Sequence, residues 1–169
     1  MYILGIDPGF GRVGYGIIEY RNNKYRPVEY GCITTPAGEK LSTRLKKIAE
    51  DLEEVLSRYS LDAAAVEDLF FNTNLKTGIQ VAEARGVILY TLEKNAIPIS
   101  EYTPLQVKQA LIGYGRADKI QIMNMVKDFL KLEKMPKLDD TTDALAIAIC
   151  HANSCKYNKY LEKTNRKNK

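Results

Sequence analysis

Residues 41–67 read LSTRLKKIAEDLEEVLSRYSLDAAAVE, a helical pattern that leads directly into a short apolar run. Apolar residues recur at three- and four-residue steps from Leu41 to Leu56, and charged residues fill the opposite face. The run from Ala63 to Val66 is typical of a buried, parallel strand. A helix that crosses over between strands is the signature of a βαβ unit, so this segment predicts an α/β fold.

Patterns on either side of this segment extend the prediction to a mixed five-stranded sheet with helices on both faces. Strands are indicated by alternating or clustered apolar residues, and helices by apolar stripes with a period near 3.6. The predicted strands are residues 2–6, 13–20, 25–34, 62–67 and 97–102, and the predicted helices cover 41–56, 74–94, a segment starting at 104, the stripe 122–130, and 140–154.

Length and composition favour a single domain. The 169 residues, 45% of them hydrophobic, can form one core, which we assign to residues 1–155. Residues 156–169 are mostly Lys, Asn and Tyr without periodicity, and we expect a disordered basic tail that could contact phosphates weakly. The net charge of +4 permits nucleic-acid binding without establishing it.

The chain has neither a leader pattern at residue 1 nor an apolar run near the ~18 residues that a membrane span requires. We therefore expect a cytoplasmic protein in which Cys32, Cys150 and Cys155 are reduced thiols. Cys150 and Cys155 flank the single histidine, His151, but the spacing is not that of a zinc site. Core packing is the favoured role for these residues.

Four acidic residues stand where purely structural roles explain them poorly. Asp7 and Glu67 each end an apolar strand, and if these strands are parallel neighbours both carboxylates emerge at one edge of the sheet. Asp140 and Asp143 lie one turn apart on one face at the start of an apolar helix. For Asp140 alone, helix capping is the better explanation, whereas Asp143 precedes a buried run and needs a cation or a donor.

Such a group of acids predicts a divalent metal site. Grouped carboxylates repel one another unless a cation neutralises them, and hard oxygen ligands select Mg²⁺ or Mn²⁺ over zinc. One or two such ions can promote in-line displacement at a phosphodiester without a covalent nucleophile. A serine, cysteine or histidine mechanism has little support, because the one histidine has no evident partner.

Five motifs follow one another along roughly residues 1 to 153. They are GIDPG (5–9) with GYG (14–16), VEDLFF (66–71), ARGV (84–87), QVKQ (106–109) and DTTDALAIA (140–148). In this order and at these separations they resemble the successive signatures of the RuvC family of crossover junction endonucleases. A single short motif would be weak support, but five in family order are specific.

The resemblance implies an RNase H-like fold and a homodimer with one active site per subunit. It also implies resolution of four-way (Holliday) DNA junctions by paired symmetric nicks in recombination and repair, with the RuvA–RuvB branch-migration complex as a further partner. The family's four metal-binding and catalytic acids correspond to Asp7, Glu67, Asp140 and Asp143.

The predicted helix at 74–94 has apolar residues on two faces, and one stripe is enough to cover the sheet. The second stripe is covered either by a later helix of the same chain or by a second copy of the protein. The pattern itself leaves both alternatives open, and the resemblance favours the dimer.

The resemblance also assigns DNA contacts. Phe70 matches a family aromatic that enters the junction, although from the residues alone a phenylalanine here is more often core. Phe71 and Arg85 stay open between structural and DNA-contacting roles. The basic candidates for phosphate contacts are two residues that match family positions and two nearby ones: Lys108, Lys119, Lys76 and Arg116.

Three other functions compete with junction cutting. The segments GIDPG and GYG also resemble the phosphate loop of actin-like ATPases and sugar kinases, but the chain is too short for the second lobe that those folds need. A non-catalytic junction-binding module would be free to lose the four acids, which are all present. A ribonuclease H acting on RNA–DNA hybrids shares the fold, and only a comparison of substrates separates it from a junction nuclease.

Overall fold

The computed structural model describes residues 1–68 and 75–167, with side chains described for 1–68 and 77–156. Its elements are β1 (Tyr2–Asp7), β2 (Arg12–Arg21), β3 (Lys24–Thr34), α1 (Leu41–Ser57), β4 (Ala63–Glu67), α2 (Leu75–Lys94), β5 (Ile99–Tyr102), α3 (Pro104–Ile112), α4 (Lys119–Leu130) and α5 (Asp139–Lys167).

The strands form one mixed sheet in the order β3-β2-β1-β4-β5. β1, β2 and β3 are antiparallel neighbours, whereas β4 runs parallel to both β1 and β5. The β2–β3 hairpin turns at Asn22 and Asn23, whose φ angles of 52° and 60° suit a tight turn between twisted strands. The sheet confirms the predicted α/β class, and the parallel β1–β4 pair confirms the predicted neighbours.

Helices cover both faces of the sheet, as predicted. α1 and α2 pack on one face through residues such as Ile48 and Ile88, against strand residues that include Leu4 and Ile6. α3, α4 and α5 cover the other face, where Ile3 belongs to the second core. Because side chains alternate along a strand, positions 3, 5 and 7 of β1 all face α5.

Glycines in β1 and β2 let α5 lie directly against the sheet. A Cβ atom on Gly5 would stand 2.0 Å from the Ala144 carbonyl oxygen, and one on Gly14 would stand 1.9 Å from the Asp140 carbonyl oxygen. Such distances exclude any side chain at these two positions. Gly14 also pairs with Asp7 across the β1–β2 ladder, so the close contact brings the start of α5 beside the end of β1.

The last helix is longer than the sequence pattern predicts. α5 continues to Lys167, so the predicted end near residue 154 is wrong. α2 buries Ala84, Ile88 and Leu92, but its Ile79 and Tyr90 side chains are 52% and 67% exposed.

No helix within the described part of the chain is long and apolar enough to cross a membrane.

Candidate active site

The first two acids meet at the tips of β1 and β4. Because Ile6 pairs with Val66 in the parallel ladder, Asp7 and Glu67 are the next residues on adjacent strands, and their side chains are hydrogen-bonded to each other. Burial, followed by the charges of Glu67, Asp143 and Asp140, raises the pKa of Asp7 to about 8. Burial and Asp143 raise the pKa of Glu67 to about 7, so the Asp7–Glu67 pair as a unit retains a proton near neutral pH.

The other two acids come from the first turns of α5, which the glycine contacts hold against the sheet. The Asp140 Oδ2 atom lies 3.2 Å from Arg12 Nε, yet it is buried and makes no hydrogen bond. Although Arg12 is close, the two groups are not aligned for a hydrogen bond, so the Asp140 Oδ2 acceptor stays unsatisfied. Burial raises the pKa of Asp143, and the nearby Lys119 opposes that shift.

Lys119 stands at the N-terminus of α4 and reaches across to α5. Its Nζ atom is 2.9 Å from Asp139 Oδ2 and 3.9 Å from Asp143 Oδ2. The pKa of Lys119 is raised, mainly by its hydrogen bond with Asp139. The Lys119 ammonium group therefore lies at the edge of the acid cluster. It pairs with Asp143, a predicted site residue, and with Asp139, which is adjacent to Asp140.

Four buried or half-buried carboxylates in electrostatic contact fit a divalent cation chemically. The donor set consists of hard oxygens, and Asp140 provides an acceptor that lacks a hydrogen bond. Among the described side chains, however, no three of the acidic, His or Cys type are already arranged to hold a metal ion. The four acids instead interact with Arg12, with Lys119 and with one another.

A cleft of about 240 Å³ opens beside the acids on the α5 side of the sheet. Glu67 and Asp143 lie on its acidic side, and the predicted phosphate contacts Lys108 and Lys119 both line it. An anionic strand in this cleft could therefore meet ammonium groups and the acid cluster together. Arg116 is exposed in the loop between α3 and α4.

Arg85 has a structural position behind the site. Its side chain is largely buried, its Nε donates to the Glu67 carbonyl oxygen at 3.1 Å, and its guanidinium forms ion pairs with Asp68 and Glu101. These contacts tie the end of β4 to α2 and to β5. Arg85 therefore supports the backbone that carries Glu67.

The predicted DNA contacts Phe70 and Lys76, and Phe71, whose role the sequence left open, are not described at the side-chain level. Phe70 and Phe71 lie outside the described residues, and Lys76 belongs to α2 without a described side chain. Cys150 and His151 of α5 are buried core residues, as predicted, whereas Cys155 is only partly buried. His151 Nδ1 lies 2.9 Å from the Tyr102 hydroxyl oxygen. Burial lowers the pKa of His151, so the ring is neutral at physiological pH.

Sequence reasoning missed Arg12 and Asp139, the two residues that pair with the predicted site. Asp139 is adjacent to Asp140, and the adjacency was a visible signal. Arg12 follows a short turn after Asp7, and a hairpin reading of β1 and β2 places it at the same end of the sheet.

A mixed sheet of this order, with acids at the tips of two parallel strands and at the start of a helix packed across them, defines an RNase H-like α/β protein. The chain belongs to the RuvC family, whose description is crossover junction endodeoxyribonuclease RuvC and whose model matches residues 3–151.

Individual relatives extend the match over nearly the whole chain. The chain is 53% identical over 162 residues to the crossover junction endodeoxyribonuclease RuvC of Clostridioides difficile (strain 630), covering 96% of each sequence. It is 54% identical over 153 residues to that of Petrotoga mobilis (strain DSM 10674 / SJ95), covering 90% of this chain and 94% of the relative. The structure of T. thermophilus RuvC in complex with Holliday junction substrate superposes with a TM-score of 0.89 at 34% identity, covering 94% and 96% of the two chains.

Proposed function

We propose that the protein resolves four-way DNA junctions by metal-dependent hydrolysis of phosphodiesters, through paired symmetric nicks in recombination and repair. The observation that carries this proposal is the meeting of Asp7, Glu67 and Asp143 beside a cleft lined by Lys108 and Lys119. Membership of the RuvC family and the likeness to a RuvC bound to a Holliday junction support the choice of substrate.

Asp7, Glu67, Asp140 and Asp143 would hold one or two Mg²⁺ ions, with Mn²⁺ as a substitute. A bound divalent cation supplies Lewis-acid polarisation and charge neutralisation at the scissile phosphodiester. The raised pKa of Asp7, about 8, means that loading with a cation releases a proton from the Asp7–Glu67 pair. Cation binding should therefore tighten as the pH rises towards 8.

The remaining proposed site residues contact the DNA substrate. Lys108 and Lys119 would bind phosphates in the cleft, and Arg116 is positioned on the adjoining loop to extend the basic surface. Phe70 would stack on an unpaired base of the junction, and Lys76 would add a phosphate contact. The assignment of Phe70 rests on the family resemblance, and that of Lys76 rests on its charge and its place in the sequence near the other basic candidates.

A homodimer would place two such sites on one junction, as paired nicks require. The exposed side chains of Ile79 and Tyr90 on α2 leave an apolar surface that another helix of the described chain does not cover. Gly86 lies on the same exposed part of the helix, with open space where a side chain would stand. This surface supports dimerisation through α2.

The domain bounds, the cellular location and a further partner are also part of the proposal. We infer that residues 1–155 act as one nuclease domain, that the protein works in the cytoplasm, and that the RuvA–RuvB branch-migration complex is one of its partners. Residues 156–169 would contribute a basic extension.

One substrate comparison tests the proposal. Wild-type protein is incubated with a synthetic four-way junction, a linear duplex and an RNA–DNA hybrid, each with and without Mg²⁺. We expect Mg²⁺-dependent symmetric nicks in the junction alone. Cutting of the hybrid in preference to the junction would identify a ribonuclease H, and binding without any cutting would identify a non-catalytic module.

A matched pair of variants assigns the chemistry to the site. Glu67→Gln should abolish cutting and leave junction binding intact, because the amide cannot serve as an anionic metal ligand. Glu133→Gln removes an exposed carboxylate after α4 and should cut normally. Normal cutting by Glu67→Gln would contradict the assigned mechanism.

A further inference from the structure

Three large apolar side chains are exposed around the connection between α3 and α4. Leu105 at the start of α3 is 54% exposed, Tyr114 in the connecting loop is 47% exposed, and Ile120 in the first turn of α4 is 69% exposed. Exposed apolar residues that recur in one region mark contact surfaces more often than isolated ones do. We refer to Leu105, Tyr114 and Ile120 as the α3–α4 platform.

The tyrosine of this platform is held in place although it is exposed. Gln121 Nε2 donates a hydrogen bond of 3.0 Å to the Tyr114 hydroxyl oxygen. The same glutamine is fixed by a reciprocal capping box, in which its Oε1 accepts from the Asp118 amide at 2.9 Å and the Asp118 carboxylate accepts from the Gln121 amide at 2.8 Å. An oriented aromatic ring loses little entropy when a ligand packs on it.

The loop beside Tyr114 lies against Leu105. A Cβ atom on Gly115 would stand 2.1 Å from Leu105 Cδ1, so the loop backbone and the leucine side chain are in direct contact. Leu105 and Tyr114 therefore belong to one surface, and the capping box of α4 links Tyr114 to the helix turn that carries Ile120.

The platform adjoins the acidic cleft. Pro104 and Lys119 line the cleft, and Leu105 and Ile120 are their immediate chain neighbours. Basic groups flank the platform on the cleft side and in the loop, since Lys108 lines the cleft and Arg116 is exposed two residues after Tyr114. Apolar and aromatic surface bordered by cationic side chains matches a nucleic-acid strand, which offers flat bases between phosphates.

We propose that the α3–α4 platform binds a nucleotide of the junction next to the cleaved phosphate, with the Tyr114 ring as the stacking surface. This inference rests on the proposed function and adds a DNA contact distinct from the basic residues of the cleft. A second copy of the chain is a less suitable occupant, because the basic residues that border the platform would repel their own counterparts across a symmetric contact. The apolar surface of α2 offers the better site for self-association.

Binding measurements in EDTA separate this contact from catalysis. A fluorescently labelled four-way junction is titrated with wild-type protein and with Tyr114→Ala, Tyr114→Phe and Ile120→Ser, over a series of NaCl concentrations. Tyr30→Ala is the matched control, since Tyr30 is an exposed tyrosine on the edge strand β3. Thermal unfolding and light scattering on each variant report folding and oligomeric state.

We expect Tyr114→Ala to weaken junction binding by at least about fivefold, the effect of losing one base–aromatic stack, at every salt concentration. The slope of log affinity against log salt should stay as in the wild type, because no phosphate contact is lost. By contrast, Arg116→Ala should reduce that slope by about one. Tyr114→Phe keeps the ring but loses the hydrogen bond with Gln121, so it should bind between wild type and Tyr114→Ala. Ile120→Ser should bind more weakly than wild type, and Tyr30→Ala should bind normally.

Unchanged junction affinity in both Tyr114→Ala and Ile120→Ser would overturn the inference while the wild type still binds and cuts junctions. A change from dimer to monomer in either variant would also overturn it, because the platform would then be a protein–protein contact. If the wild type neither prefers nor cuts the junction, the proposed function fails, and the inference fails with it.

Discussion

Replacing Asp7 with Asn should stabilise the protein in EDTA and remove its ability to cut junctions. In the folded site, burial and three neighbouring carboxylates raise the pKa of Asp7 from 3.8 to about 8. The folded chain therefore keeps this proton across an interval in which the unfolded chain has already lost it. Stability due to this group falls as the pH rises from about 4 and levels off above about 8.

The size of the effect follows from the same values. Each pKa unit corresponds to ~1.4 kcal/mol, so the difference between 3.8 and about 8 sets a ceiling of about 6 kcal/mol on the cost of ionised Asp7. Proton uptake by Glu67 and partial access of solvent relieve much of that cost, and we expect Asp7→Asn to gain about 1–3 kcal/mol at pH 8. For a domain of this size, that gain corresponds to an increase in Tm of roughly 2–12 °C.

Calorimetry at pH 5, 7 and 8.5 in EDTA measures this gain, with Asp128→Asn as a control that removes an exposed carboxylate of α4. The Tm advantage of Asp7→Asn should grow with pH, and Asp128→Asn should show none. Added Mg²⁺ should raise the Tm of the wild type more than that of Asp7→Asn. An Asp7→Asn protein that is no more stable than wild type at pH 8.5 would refute the electrostatic account of the site.

Other substitutions test the supports of the site. Gly14→Ala should cost at least about 1–3 kcal/mol of stability and reduce cutting, measured by thermal melts and nicking assays, because its Cβ would collide with the Asp140 carbonyl oxygen. Arg85→Ala should lower both stability and kcat by freeing the end of β4 at Glu67, and kcat equal to wild type would limit Arg85 to a role in folding. Phe70→Ala should reduce junction cutting far more than junction binding, and an unchanged cutting rate would return Phe70 to a packing role.

The positions of Asp7 and Glu67 at the ends of β1 and β4 were predictable from the sequence, because side chains alternate strictly along a strand. An apolar run of four alanine and valine residues before Glu67, and a similar run before Asp7, indicated buried parallel strands, and the structure pairs them. Once these strands are neighbours, the alternation of side chains fixes which face the carboxylates occupy. The local sequence pattern therefore predicted the pairing of β1 with β4 that the structure shows.

The ion pairs of the site were not predictable in the same way. Arg12 and Lys119 are long, flexible side chains, and their pairing with Asp140 and Asp139 depends on how α4 and α5 sit over the sheet. The length of α5 was missed for a different reason: beyond residue 154 the polar sequence carries no apolar stripe, although its backbone remains helical to Lys167.

The sequence alone did not predict which apolar stripe of α2 is buried. Its two apolar stripes were visible, but nothing local distinguishes the stripe that packs on the sheet from the one left exposed. The structure buries Ala84 and Ile88 and leaves Ile79 and Tyr90 in solvent. Packing against α1 decides between them, and that contact joins distant parts of the chain.

The carboxylates of the cleft come from opposite parts of the chain, with Asp7 in the first strand and Asp140 and Asp143 in the final helix. During synthesis the ribosome releases the sheet long before it releases α5. A nascent chain, or a fragment truncated before residue 139, therefore carries only two of the four acids that we propose for cutting. The complete acid cluster can form only after α5 has left the ribosome.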